Sequence, residues 1–235
     1  MDPLLAYHTA LIADLESRGD AELEAFIAAL KSIDTAGGRV AAAPSLAHPA
    51  MAHLETALSG LRDAALLATA RDLDWSQVFA DDSIDPLLAE GMLAAPFAGR
   101  KGRFRNDEMA SGLFLLAPGV SYPLHTHAAR EVYFCHVGRL SLRHGTDGRP
   151  FFLEPGDYSI TPSHRLHALD VVGAPVLLSY IWIGDLSGAN WWWSQDADGA
   201  WQRSGWKRVP GASWQLQGAE AVTAERMAEA HAGLE

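Results

Sequence analysis

Residues 119–138 hold the side chains of this chain best suited to chemistry. His125 and His127 stand two apart, and Glu131 follows at an even spacing. In a β-strand alternate side chains share a face, so the two imidazoles can point the same way. Two imidazoles and a carboxylate on one face supply three ligands for a divalent metal and leave room for a substrate. A fourth ligand has to come from elsewhere, and His167, in Pro162-Ser-His-Arg-Leu-His167, is the best candidate. A lone histidine in an apolar strand is usually a packed core residue. Three ligand-type side chains at strand spacing, bounded by Gly119 and Gly138, point instead to a metal site.

The composition narrows the setting. The chain has 235 residues, 49% of them hydrophobic, enough for one substantial domain or one domain with a helical extension. Its formal net charge is -11 and its pI near 5.3, which argues against nucleic acid or an anionic membrane as partner. The single cysteine, Cys135, precludes an intrachain disulfide and reads as a small buried hydrophobe. The first residues lack the basic and apolar regions of a signal peptide, and no window approaches the ~20 apolar residues of a membrane span. A soluble, cytoplasmic protein is the expectation.

The elements that must position the histidines divide the chain. The first third reads as helix. Pro3 suits a helix start; Leu4, His8, Leu11 and Leu15 form one face, and Gly19-Asp20 interrupts it. Leu23, Phe26, Ile27, Leu30 and Ile33 resume helical periodicity. Gly37-Gly38 is expected to end that helix, with a linker over 41–49 and a third helix carrying Met51, Leu54, Leu58, Leu61 and Ala65. A short helix is expected over 75–79. From Met92 onward short apolar or alternating runs are separated by turn residues, as in an antiparallel sandwich or small barrel, including the jelly roll. The expected strands cover 92–97, 109–116, 130–137, 140–143, 158–161, 168–172 and 176–183, and the metal motif should face the barrel interior. Trp201, Trp206 and Trp214 follow with strand-like spacing, and Thr223 can cap a last helix through His231. Arg100 to Arg105 reads as a solvated basic loop. The expected division is an α-helical region over 1–90, a barrel with the metal site over 91–215 and a C-terminal helix over 216–235.

The stretch resembles the first cupin motif at each of its defined positions: Gly119, His125, His127, Glu131 and Gly138. The second cupin motif is matched by Gly156, Pro162 and His167, while His164 stands where the motif has glycine and Val171 where it has asparagine. A narrower resemblance is to the bacterial cupin-type dimethylsulfoniopropionate (DMSP) lyases. It rests on Tyr122-Pro, His125, His127, Glu131 and Tyr133, then Pro155-Gly-Asp, Pro162-Ser, His167-Ala and Trp182-Ile-Gly184-Asp-Leu. The helical first third looks like the longer-chain branch of that family.

The resemblance implies a mainly β fold with α, a cupin (jelly-roll) β-barrel preceded by an α-helical N-terminal region. It also implies a carbon–sulfur lyase acting on DMSP by β-elimination, with one divalent transition metal per chain: Zn, Fe, Mn, Co or Ni. Loss of a proton from the carbon next to the carboxylate expels dimethyl sulfide and leaves acrylate, and a metal on the carboxylate would stabilise the carbanion-like charge. Tyr133, two residues past Glu131 on the same strand face, is the favoured base or metal-bound residue, with Tyr122, just before His125, as helper and second candidate for the base. A free phenol, with a pKa of about 10, needs a nearby dication to serve. The sulfonium is best met by aromatic faces, for which Trp182, Tyr180 and the run from Trp191 to Trp193, Trp191 first, are the candidates. His136 and His144 should lie outside the site, and His164 could line its mouth. Other metallo-cupin activities, an Fe(II) dioxygenase or a sugar isomerase, use the same ligand set, and a non-catalytic small-molecule sensor is a further alternative. The helices and surplus tryptophans suggest a homodimer.

Overall fold

The computed structural model describes residues 2–36, 48–79, 81–208 and 214–234. Gly37-Gly38 and most of the expected linker lie outside these residues. Four helices open the chain: α1 (Pro3–Ser17), α2 (Glu24–Lys31), α3 (Met51–Leu58) and α4 (Ala64–Asp72). The Asp2 carboxylate accepts from the Leu4 N–H at the start of α1, with Pro3 in the first turn. The single helix expected over 51–65 is two, because Asp63 accepts from the N–H groups of Ala65 and Leu66 and starts a new one. The short helix expected over 75–79 is instead β1 (Ser76–Gln77), which pairs at the edge of β2 (Met92–Ala98). Edge pairing there outweighs a weak helical pattern. A short α5 (Pro86–Gly91) leads into β2.

The barrel follows. Its strands are β3 (Met109–Leu116), β4 (Ser121–Thr126), β5 (Ala129–Val137), β6 (Leu140–His144), β7 (Phe151–Leu153), β8 (Tyr158–Thr161), β9 (His167–Val171), β10 (Val176–Gly184), β11 (Asn190–Gln195), β12 (Trp201–Arg208) and β13 (Trp214–Ala221). They form a six-stranded sheet, β1-β2-β3-β10-β5-β8, and a seven-stranded sheet, β13-β12-β11-β4-β9-β6-β7, with antiparallel pairing throughout. This is the expected mainly β fold with α, a cupin barrel preceded by helices. The closing α6 (Ala224–His231) is capped by the Thr223 hydroxyl, as the sequence indicated, but the helix expected over 216–235 starts later, because β13 pairs with β12 as far as Ala221.

The six-stranded sheet is buried on both faces, which explains why its strands read as near-continuous apolar runs. On β5, Tyr133 and Cys135 point into the barrel, while Val132 and Phe134 point out against the helices. On β10, Leu178 and Tyr180 point in, while Leu177 and Ile181 point out. The outward residues share one core with Leu4, Leu11, Leu15, Phe26 and Leu30. A polar bond crosses the same interface, where the Tyr7 hydroxyl meets Ser179 Oγ at 2.5 Å and Ser179 Oγ meets His136 Nε2 at 2.6 Å.

Since Phe26 is fully buried at this seam, Phe26→Ala should cost about 3–5 kcal/mol of unfolding free energy. Chemical denaturation would measure it; a cost below about 1 kcal/mol would mean that the helices do not share the core of the barrel.

Candidate metal centre and cavity

The site forms where the two sheets meet. His125 lies on β4 and pairs directly with His167 on β9, so both project from the seven-stranded sheet. Glu131 lies on β5 in the opposite sheet, between Thr161 of β8 and Trp182 of β10. His127 is not on the strand that carries His125. β4 ends at Thr126, and His127 stands in the turn that carries the chain from one sheet to the other. The expectation of a single strand face is thus corrected: the histidines converge because the chain turns between sheets. The His164 N–H donates to the His127 carbonyl at 2.8 Å and braces this turn. His164 holds φ 59, the left-handed region that favours glycine, so the histidine keeps the backbone shape of the glycine it replaces.

One ring nitrogen from each of His125, His127 and His167 lies within 4.8 Å of the others. All three side chains are buried. Each spends its Nδ1 on a backbone carbonyl: Pro123 O at 2.8 Å, Ala129 O at 2.9 Å and Arg165 O at 2.9 Å, respectively. A carbonyl only accepts, so each Nδ1 carries a proton, and Nε2 is the atom each ring can offer as a ligand. His127 Nε2, His167 Nε2 and Glu131 Oε2 are buried without a hydrogen-bond partner. Glu131 Oε2 lies 3.4 Å from both of those nitrogens. Buried polar atoms are rarely left unpaired; these aim at one point and form a donor set of N and O type that fits a divalent metal ion.

The electrostatics agree. Burial holds His125 well below the ordinary histidine range, and His167 and His127 stand where a second positive charge would repel one on His125. Burial likewise lowers His167. For Glu131, burial alone would raise the pKa, but His127 and His167 more than offset it and keep the carboxyl ionised well below its usual range. The other Glu131 oxygen, Oε1, accepts from the Trp182 indole N–H. Trp182 also stacks on His127, with ring centroids 4.4 Å apart.

A cavity of about 450 Å³ opens beside these residues. Tyr122, His125, Tyr133, Tyr180 and Trp182 line it, with Phe114, Met92, Met109, Asn190 and Trp214. Tyr180 and Phe114 stack with centroids 4.4 Å apart. Trp191 is not at the cavity, a correction to its expected place. Strand alternation turns it to the far side of β11, where Arg203 lies 4.1 Å from its ring centre, whereas its neighbour Trp192 packs inward against Tyr122. Cys135 is buried and its thiol is pushed up to about 12 by burial, the inert small residue expected. Sequence reasoning missed Asn190, whose Nδ2 donates to the Tyr122 hydroxyl at 2.5 Å. It also missed Arg100 and Lys101, which line the cavity and do not form a merely solvated loop. Their signal was the basic cluster itself, whose place only the β2–β3 connection reveals.

The profile of the dimethylsulfoniopropionate lyase family matches residues 20–178. The chain belongs to that family. It is 30% identical over 135 residues to the dimethylsulfoniopropionate lyase DddQ of Ruegeria pomeroyi, a match spanning 57% of this chain and 66% of that protein, just under two thirds of its length. The crystal structure of DMSP lyase DddQ from Ruegeria pomeroyi superposes with a TM-score of 0.63 at 25% identity, covering 81% of this chain and 96% of that one. A structure described as DMSP lyases RdDddP and RnDddQII shares the fold, with a TM-score of 0.57 at 22% identity over 75% of this chain and 94% of that one.

Two outcomes follow from the centre. His167→Ala or His127→Ala should lower bound metal, measured by elemental analysis after dialysis, by about tenfold or more; full occupancy in both variants would place the ion elsewhere. Because folding holds His125 and His167 below the ordinary histidine value of 6.5, the unfolded chain takes up more protons as pH falls through that value. Metal-free protein should therefore lose stability as pH falls through about 6.5 and below. A melting temperature that did not fall between about pH 8 and pH 5 would contradict this.

Proposed function

We propose that this chain is a metal-dependent carbon–sulfur lyase that cleaves dimethylsulfoniopropionate to dimethyl sulfide and acrylate by β-elimination. The observation that carries the reading is the set of buried, partnerless Nε2 and carboxylate atoms beside an aromatic cavity, in a member of this family. His125, His127, His167 and Glu131 would hold one divalent transition metal (Zn, Fe, Mn, Co or Ni), which when bound acts as a Lewis acid toward a carboxylate.

The chain's own residues do the rest. Tyr133 follows Glu131 by two on β5 and faces the same interior, so its phenolic oxygen reaches the neighbourhood of the centre and, as the phenolate that a bound dication would favour, would take the proton. Burial holds this phenol well above its ordinary pKa, and the Glu131 carboxylate adds to that; neutralising Glu131 by ligation removes the second cause. Tyr122 stacks on His125 with centroids 3.9 Å apart, and the Asn190 N–H fixes its hydroxyl, which suits a helper that orients substrate. Tyr180 is pushed up to about 12 by burial and stays a neutral phenol. Tyr180, Phe114 and Trp182 offer ring faces to the sulfonium, which has no donor hydrogens and is attracted by the ring quadrupole. Trp182 has a second task, since its indole holds Glu131 in place.

Among the described residues no helix is long and apolar enough to cross a membrane. A cytoplasmic location is proposed, in keeping with a lone free thiol. A homodimer is proposed from the partly exposed Phe151 and Phe152 on the edge strand β7.

Headspace gas chromatography of the purified protein with DMSP should show dimethyl sulfide that disappears on chelation. Its absence from fully metal-loaded protein would reject the substrate. Tyr133→Phe should lower kcat about 100-fold or more with metal retained, and Tyr122→Phe should lower it less. The opposite ranking would assign the base to Tyr122.

A further inference from the structure

The chain carries eleven more negative than positive charges, yet its cavity shows the opposite sign. Arg100, Lys101, Lys207 and Arg208 all line it, and no Asp or Glu is among its lining residues. The four cations come from two places far apart in sequence, the connection after β2 and the end of β12. Arg100 is answered by Asp107 at 3.2 Å. Among the described residues Lys101, Lys207 and Arg208 have no ion-pair partner. The Arg208 guanidinium lies 5.2 Å from the centre of the Trp214 ring, another lining residue. Lys101 is held below the ordinary lysine range, first by partial burial and then by the charge of Arg208. Lys101 and Arg208 thus bring like charge to one cavity whose lining holds no carboxylate.

Exposure shows the arrangement in depth. Lys101, Lys207 and Arg208 are exposed, whereas Tyr122, His125 and Tyr133 are each at most 3% exposed. The cations form the rim, and His125 with Tyr122 and Tyr133 forms the floor. We propose that Lys101, Lys207 and Arg208 are a carboxylate-capture rim, which admits ligands bearing a carboxylate and a net charge of zero or below and turns away net cations that lack one. This inference deepens the lyase reading and uses it only for the identity of the substrate. A zwitterion whose two charges sit at opposite ends is drawn in by its carboxylate and opposed at its sulfonium, so the rim also sets which end enters first. Clefts lined by one sign of charge concentrate ligands of the other sign, an effect that salt removes.

The test uses full-length, metal-loaded protein and 4-methylpentanoate, the uncharged-carbon counterpart of DMSP, which cannot undergo the elimination. Titration calorimetry would compare the parent, the triple variant K101Q/K207Q/R208Q and the charge-keeping variant K101R/K207R/R208K. At low ionic strength the triple variant should bind about tenfold more weakly, and in about 1 M salt the difference should shrink below about twofold. The charge-keeping variant should bind like the parent. Trimethylsulfonium, a cation without a carboxylate, should compete poorly in the parent and better in the triple variant. Equal low-salt affinity in parent and triple variant, both with unchanged melting temperatures, would overturn the rim. A loss of equal size at both salt concentrations would also overturn it, as the mark of lost packing. Because the readout is binding, a rim that behaves as expected in a protein that releases no dimethyl sulfide would leave this inference standing and remove the lyase reading instead.

Discussion

Three backbone carbonyls decide the chemistry of this molecule. By accepting from the Nδ1–H groups of His125, His127 and His167, they fix one tautomer in each ring and turn each Nε2 lone pair inward. Without those bonds the rings could rotate, and the buried nitrogens would find other partners. With them, Glu131 has two imidazole neighbours at equal distance and an indole N–H behind it. A carboxylate with no exposure would otherwise be costly to bury. Here it sits beside two imidazoles whose Nε2 atoms have no hydrogen-bond partner.

The rest of the fold serves that convergence. The donors come from both sheets and from the turn between them, so only a closed barrel brings them together. The six-stranded sheet carries Glu131, Tyr133, Tyr180 and Trp182 on its inner face and presents an apolar outer face that water would not tolerate. The helices cover that face, and their leucines and phenylalanines merge with it into one core. The helical third of the chain thereby supports the strands that hold the site: β10 bears Ser179 toward Tyr7 on one side and Tyr180 toward the cavity on the other.

Charge is arranged as carefully as shape. An acidic chain has a cavity whose mouth is cationic, whose walls are aromatic and whose floor reaches the histidine centre at His125. Those three zones are what a small zwitterion with a carboxylate and a sulfonium requires. Each follows from a separate segment: the loop after β2 and the end of β12, strands β3 and β10, and the β4–β5 turn with β9.

The sequence by itself determined the ligand types, the strand-rich barrel, the helical first third and the capped last helix. Those features are local: alternation, helical periodicity, turn residues and capping groups act over a few residues. It also placed Tyr133 beside Glu131, because a strand fixes the relation of residues two apart. Tertiary structure alone decided that His127 reaches the centre from a turn, that Trp191 faces away while Trp192 faces in, and that Lys101 and Arg208 line one cavity. Each of these depends on which strand follows which sheet, or on the fold bringing together segments about a hundred positions apart. Side-chain spacing along one strand carries no record of either.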